Sequence, residues 1–308
     1  VQAQRLADEE AGVSVLRSFL FIPGDSEKKL GKVDGCGADA VILDLEDAVA
    51  PANKPQARRM VADFLAARPR EERGTQLWVR VNPFDTGMTE GDVAAIMAGA
   101  PDGIMQPKID GPACVARLSA LLDEHEARHG VVAGATRILP VATETPIAPF
   151  RLGDFAGAGL RRLAGLTWGA EDLSAAMGAS TNLGADGKWA FTYQMVRSLT
   201  LMGAHAAGVP AYETLYVDFR DDEGLRASCR AARAEGWSGR IAIHPAQVAG
   251  INESFSPGEE EVAFARRIVA AFAAEANAGT VGIDGKMYDI PHLKAARRTI
   301  EMHEAASG

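Results

Sequence analysis

Ala40-Val41-Ile42-Leu43-Asp44-Leu45-Glu46-Asp47-Ala48-Val49 is the stretch whose reading decides the fold. Ala40 to Leu43 is a short unbroken apolar run, the pattern of a parallel strand covered on both faces. It passes without a turn residue into Asp44, Glu46 and Asp47, and Pro51 follows. Carboxylates are seldom buried unless paired, so acids crowded at the end of a core strand call for cations, donors or a metal ion beside them. In α/β proteins the carboxyl end of the sheet is where active sites assemble. A solvated loop start is the alternative use of the same acids.

Seven further apolar runs flank this one: Arg17–Gly24, Leu77–Pro83, Gly103–Ile109, Ile138–Glu144, Leu163–Gly169, Thr214–Asp218 and Arg240–Pro245. Amphipathic segments lie between them, at Glu27–Cys36, Lys54–Ala67, Pro112–His129, Trp189–Gly208 and Asp222–Glu235. In Lys54–Ala67, Met60, Val61, Phe64 and Leu65 recur at helical spacing. Strand–helix alternation of this kind, eight units in roughly 250 residues, predicts a closed α/β (β/α)8 TIM barrel over residues 13–250. An open doubly wound sheet is the alternative, weakened because no Gly-x-Gly-x-x-Gly fingerprint follows the first run. Residues 251–308 leave the pattern. Pro257–Glu275 reads as a helix with acids in its first turn, Asn277–Thr280 interrupts it, and Val281–Pro291 reads as a hairpin on the Asp284-Gly285 turn. A last helix runs from His292 to about Glu304. This C-terminal extension is expected to act as a lid over the barrel or to reach a neighbouring subunit.

A net charge of −9 and a pI near 5.3 argue against nucleic acid as a main partner, because phosphate binding needs a basic surface. Cys36, Cys114 and Cys229 are odd in number and far apart, without disulfide or zinc spacing, which points to a reducing cytoplasm. No apolar run has the length of a membrane span, and Val1–Gly12 is polar and acidic, without a signal-peptide core.

A barrel would bring the polar strand ends to one face: Asp44, Glu46 and Asp47, then Arg80, Lys108, Glu144, Glu171 with Asp172, Asp218 and His244. Several acids with few cations, and no clustered His or Cys, suggest Mg2+ or Mn2+ rather than zinc. Glu144 follows an apolar strand and precedes Pro146; it is either functional or a helix N-terminal acid held by the dipole. Asp172, three residues after Gly169, is a site acid or an N-cap, and Glu171 the more structural neighbour. Arg80 interrupts an apolar run, where a charge must be paired; it suits a substrate carboxylate, an ion pair with the Asp44–Asp47 acids, or both. Lys108 reads equally as a rim salt bridge or a ligand contact, and His244 as a core histidine or a site residue. No Gly-x-Ser-x-Gly elbow is present.

Several stretches together are similar to the citrate lyase beta-subunit-like branch of the HpcH/HpaI aldolase superfamily, with its malyl-CoA and citramalyl-CoA lyases. They are Arg17–Gly24, Leu43–Val49 with Lys54 and Ala57-Arg58, Val79–Asn82, Glu144-Thr145, Gly169–Asp172, Ile243–Pro245 and Gly285–Pro291. The resemblance implies a Mg2+-dependent carbon–carbon lyase on a (β/α)8 barrel. It would cleave or condense a short 3-hydroxyacyl-CoA, with an acyl-CoA and pyruvate or glyoxylate on the other side of the reaction. It implies that Glu144 and Asp172 hold the metal and that Arg80 contacts the keto acid. Glu46 and Asp47 would hold metal-bound waters and the arginine, and Asp289 would act as acid or base over a neighbouring subunit's site. Phe21, Lys32, Ile243 and His244 would line the coenzyme A arm, in a homo-oligomer, a trimer or hexamer. Ser26 stands where those lyases carry an arginine, so the contacts to the coenzyme A phosphates are expected to differ. A thioesterase or malate-synthase-like outcome, or a citrate lyase beta subunit working on an acyl-carrier-protein thioester, are the alternatives.

Overall fold

The computed structural model describes residues 16–275 and 278–307. Eight parallel strands form one sheet: β1 (Ser18–Pro23), β2 (Ala40–Asp44), β3 (Gln76–Arg80), β4 (Gly103–Gln106), β5 (Arg137–Pro140), β6 (Leu166–Thr167), β7 (Ala211–Glu213) and β8 (Gly239–Ala242). Their order, β5-β4-β3-β2-β1-β8-β7-β6, is a ring cut between β5 and β6. Parallel bridges Ile138–Leu163 and Val141–Thr167 close that cut, so the sheet is a barrel and not an open doubly wound sheet.

Helices α1 (Glu27–Leu30), α2 (Lys54–Ala66), α3 (Thr89–Ile96), α4 (Pro112–His129), α5 (Ala170–Ala176), α6 (Phe191–Ala207), α7 (Asp222–Glu235) and α8 (Ala246–Phe255) surround it, with a 3-10 helix, Ala148–Phe155, after β5. Local chemistry sets their ends. Pro112 opens α4, which stops at Gly130 in the left-handed region. Asp221 caps α7 by accepting the Gly224 N–H at 2.9 Å.

Period-two alternation sorts each strand into two cores. Phe19, Ala40, Ile42, Trp78, Met105, Leu139, Tyr212 and Ile241 point inward and fill the barrel. Leu20, Val41, Leu43, Val79 and Ile104 point outward to the helices. The inner layer is tight: Phe19 sets its ring edge-on to Trp78 and Tyr212 at 5.5 and 4.8 Å. A β-carbon on Gly103 would lie 2.3 Å from the Trp78 ring. The same alternation carries past Ile42 and Trp78 to Asp44 and Arg80, which pair in register at the top of the barrel.

Three details differ from the sequence reading. The seventh strand is Ala211–Glu213, and Thr214–Asp218 is the loop that leaves it, because Tyr212 fills the barrel while Val217 ends exposed. β-propensity in that run gives way to packing. α3, α5 and α8 were not among the expected helices, and Glu27–Cys36 holds only the short α1. The division expected after residue 250 falls inside α8, whose Val248, Ile251 and Phe255 belong to the outer barrel core.

Beyond α8 come α9 (Glu259–Ala274), the antiparallel pair β9 (Thr280–Ile283) and β10 (Lys286–Asp289), and α10 (Ile290–Ser307). Asp284 and Gly285 both adopt positive φ, the turn that a two-residue hairpin demands. These elements share a small core of their own, with Ile268, Phe272, Val281, Ile283 and Ala296 buried in it. Asn277 and the Val1–Gly12 lead-in lie outside the described residues. No helix among the described residues is long and apolar enough to cross a membrane.

Candidate active site

Asp44 is fully buried and uses both its oxygens. It accepts from Arg80 Nε at 2.7 Å and Nη2 at 2.6 Å, and from the backbone N–H groups of Glu46 and Ala48 at 2.9 and 3.0 Å. Asp44 is therefore a brace. It fixes the Arg80 guanidinium through a bidentate pair and winds the following loop so that Glu46 and Asp47 face the barrel mouth. Lys54 and Asn82 hold that loop from behind. Lys54 Nζ donates to the Leu45 and Glu46 carbonyls, both at 3.0 Å, and Asn82 Nδ2 to the Leu45 carbonyl at 3.0 Å. Buried Asp92 accepts from Asn82 Nδ2 at 2.7 Å and pairs with Arg58 at 2.6 Å, which ties the loop to α2 and α3.

The Arg80 guanidinium lies over the Phe21 ring, 4.6 Å from its centre. Its Nη1 is 2.9 Å from Glu46 Oε2, a close ion pair without hydrogen-bond alignment, so that buried oxygen has charge opposite it and no donor aimed at it. Burial opposes the Arg80 charge, and the bonds and charge of Asp44 outweigh it, so the arginine stays firmly cationic. Burial lifts the Glu46 carboxyl above its ordinary pKa against the pull of Arg80 and Lys108. For Asp47 burial loses to the hydrogen bond and charge of Lys108, and its pKa is lowered.

Lys108 joins the two walls of the site. Its Nζ bonds Glu46 Oε1 and lies 3.0 Å from Asp47 Oδ2 and 3.3 Å from Asp172 Oδ1. Its backbone N–H donates to Glu144 Oε2 at 2.6 Å. The residue sits at φ 49°, a left-handed conformation uncommon for a residue with a β-carbon and typical of strained functional positions.

Glu144 is buried, and burial, then the Asp172 carboxylate, push its pKa up to about 8. Gly169 lets the start of α5 close on it: a β-carbon there would meet Glu144 Cγ at 2.8 Å. Asp172, in the first turn of α5, thereby comes beside Glu144. Both line a cleft of about 470 Å3 with Lys108, Asp110, Cys114 and Thr145. A second hollow, of about 190 Å3, lies at the opposite, amino-terminal end of the strands, where Arg70 and Arg73 both pair with Asp102.

Two neighbouring carboxylates, one of them buried and held against the other's charge, suit a divalent cation. Among the described residues no group of three or more His, Cys, Asp or Glu side chains is poised to hold a metal. That donor set does not suit zinc. It fits Mg2+, which takes one or two carboxylates and completes its octahedron with water and substrate oxygens.

The structure brings Glu46, Asp47, Arg80, Glu144, Asp172 and Phe21 together. Ile243 and His244 lie at the end of β8, both exposed, and His244 stacks on Phe219 at 4.7 Å. His244 is thus not a core histidine. Lys32 is exposed in the turn after α1. Asp289, at the end of β10, bonds His292, which lowers its pKa, and does not line the cleft within its own chain. Asp218 turns back to accept the Arg220 N–H at 3.1 Å, and Glu171 bonds Asn182, so both serve their loops. Sequence reasoning undervalued Lys108, whose one trace was its place just past a polar strand end. It gave no role to the Lys54–Asn82–Asp92–Arg58 brace.

The model of the HpcH/HpaI aldolase/citrate lyase family matches residues 17–245. A protein named (3S)-malyl-CoA thioesterase, from Cereibacter sphaeroides, is 34% identical over 291 residues, 94% of this chain and 95% of its own. A mitochondrial citramalyl-CoA lyase from Rattus norvegicus is 30% identical over 298 residues, 93% of this chain and 85% of its own. The crystal structure of CitE from Mycobacterium tuberculosis in complex with magnesium, acetoacetate and coenzyme A superposes with a TM-score of 0.76. It is 32% identical and covers 96% of this chain and 99% of its own.

Proposed function

This chain belongs to the HpcH/HpaI aldolase/citrate lyase family, and from that premise we propose that it is a Mg2+-dependent carbon–carbon lyase. Its substrate is a short 3-hydroxyacyl-CoA such as citramalyl-CoA or malyl-CoA, cleaved to an acyl-CoA and pyruvate or glyoxylate, or formed from them. The observation that carries this reading is the Glu144–Asp172 pair lining one cleft, linked through Lys108 and Glu46 to an arginine locked in place by a buried aspartate.

Mg2+ held by Glu144 and Asp172 supplies Lewis-acid polarisation of the keto-acid oxygens. Arg80 cannot swing away, because Asp44 holds two of its N–H groups, so its remaining donors are preorganised for charge developing on the keto acid. Glu46 and Asp47 orient water and the arginine. Phe21 supplies an apolar floor under the guanidinium. Asp289 of a neighbouring copy protonates the departing acyl carbon in cleavage and removes that proton in condensation. The self-contained core of the C-terminal elements supports that arrangement, since they fold around one another and not around this chain's own cleft. The coenzyme A arm runs by Phe21, Lys32, Ile243 and His244, and the assembly is a trimer or hexamer.

A thioesterase outcome at the same site is the second reading, favoured by the name of the 34%-identical Cereibacter relative. A paired product assay separates them. Citramalyl-CoA and malyl-CoA are incubated with Mg2+ and with EDTA, and keto acid and free thiol are followed separately. Keto acid without free thiol, abolished by EDTA, supports the lyase. Free thiol with intact hydroxy acid supports the thioesterase and removes the lyase. Neither product points to a carrier-protein thioester.

A further inference from the structure

Lys108 touches four acids of the cleft: Glu46, Asp47 and Asp172 through its ammonium, and Glu144 through its backbone N–H. Arg80, the other cation here, is held by Asp44 and reaches only Glu46 of these four, at 2.9 Å. Asp47 and Asp172 pair with the Lys108 ammonium, which reaches from the β2 loop across to α5. The left-handed turn at Lys108 aims the N–H at one metal-type carboxylate and the side chain at the other, so a single residue addresses both.

We propose that Lys108 is a positioning residue that acts as the resident counter-cation of the Glu144–Asp172 pair, sharing Asp172 with an incoming divalent ion. Metal binding displaces the ammonium from Asp172 and leaves it on Glu46 and Asp47. Lys108 thus holds Asp172 in place between metal-binding events, and it sets the metal affinity below what the two carboxylates alone would give. The proposal rests on the reading that Glu144 and Asp172 hold the metal. Removing one positive charge about 6 Å from a doubly charged ion, in a water-like dielectric, corresponds to about a tenfold change in affinity.

The test is direct Mn2+ binding, followed by the electron paramagnetic resonance signal of the free ion. It uses the chelator-stripped full chain without substrate, as wild type, Lys108→Met, Lys108→Arg and Glu144→Gln. The expected result is a dissociation constant about tenfold lower in Lys108→Met, unchanged in Lys108→Arg and higher in Glu144→Gln. A merely structural lysine would weaken binding when removed, not tighten it. If Lys108→Met binds no tighter while Glu144→Gln weakens binding, the counter-cation role is overturned and the metal site stands. If Glu144→Gln leaves binding unchanged, both fall. Should Lys108→Met not fold, the Lys108 Nζ nitrogen resonance of the wild type decides: it should move with Mg2+ and saturate with metal occupancy. A resonance that stays fixed overturns the proposal.

Discussion

Replacing Glu144 by Gln should stabilise the chelated protein at neutral and higher pH while destroying its metal site. Burial, then Asp172, raise the Glu144 pKa from 4.5 to about 8, so the folded protein keeps a proton that the unfolded chain releases. Between those two pH values the native state binds the extra proton, and stability falls as pH rises. The stabilisation is complete below about pH 4.5 and gone above about pH 8. At about pH 7 the wild type has lost about 3 kcal/mol relative to acid. A glutamine can still accept the Lys108 N–H and carries no charge to desolvate. Urea unfolding in EDTA, read by the fluorescence of buried Trp78, Trp168 and Trp237, should therefore show Glu144→Gln increasingly more stable than wild type from about pH 5 to about pH 8. Saturating Mg2+ should flatten the wild-type slope, because the ion takes the proton's place. A gap between the two proteins that does not change with pH would falsify the burial argument, as would a glutamine variant less stable at the alkaline end.

Three other substitutions probe separate parts of the site. Asp44→Asn leaves Arg80 with half its bidentate partner and should cost about 3–5 kcal/mol in urea unfolding, with keto-acid binding weakened in the same protein. Gly169→Ala forces a β-carbon to within 2.8 Å of Glu144 Cγ, and Mn2+ titration should show a larger loss of metal affinity than the modest loss of stability explains. Asp289→Asn should abolish turnover and leave Mn2+ binding intact; co-refolding it with Glu144→Gln should restore activity if the acid crosses between subunits, and no recovery would sink that arrangement.

Much of this was open to reading because some residues carry their meaning locally. The Ala40–Leu43 run followed at once by acids announces a buried strand ending in chemistry. Its alternation places Asp44, like Ile42, toward the barrel axis whatever the rest of the chain does. Arg80 announces itself in the same way, as a charge that must find a partner. Thr214–Asp218 shows the limit. Its residues have strand propensity as good as those of β7, and only the need to put Tyr212 into the barrel decides which three residues join the sheet.

The order of short apolar and amphipathic segments, together with the inward or outward sense of each strand residue, is written in the chain, because those properties follow from periodicities of a few residues. Packing alone decided that Asp44 is a brace and that Lys108 ties together acids from β2, β5 and α5. It also left Asp289 away from its own chain's cleft. Those outcomes depend on distances between residues tens of positions apart, and on the cost of burying each charge there. No local pattern encodes such quantities; they come into being when the barrel closes.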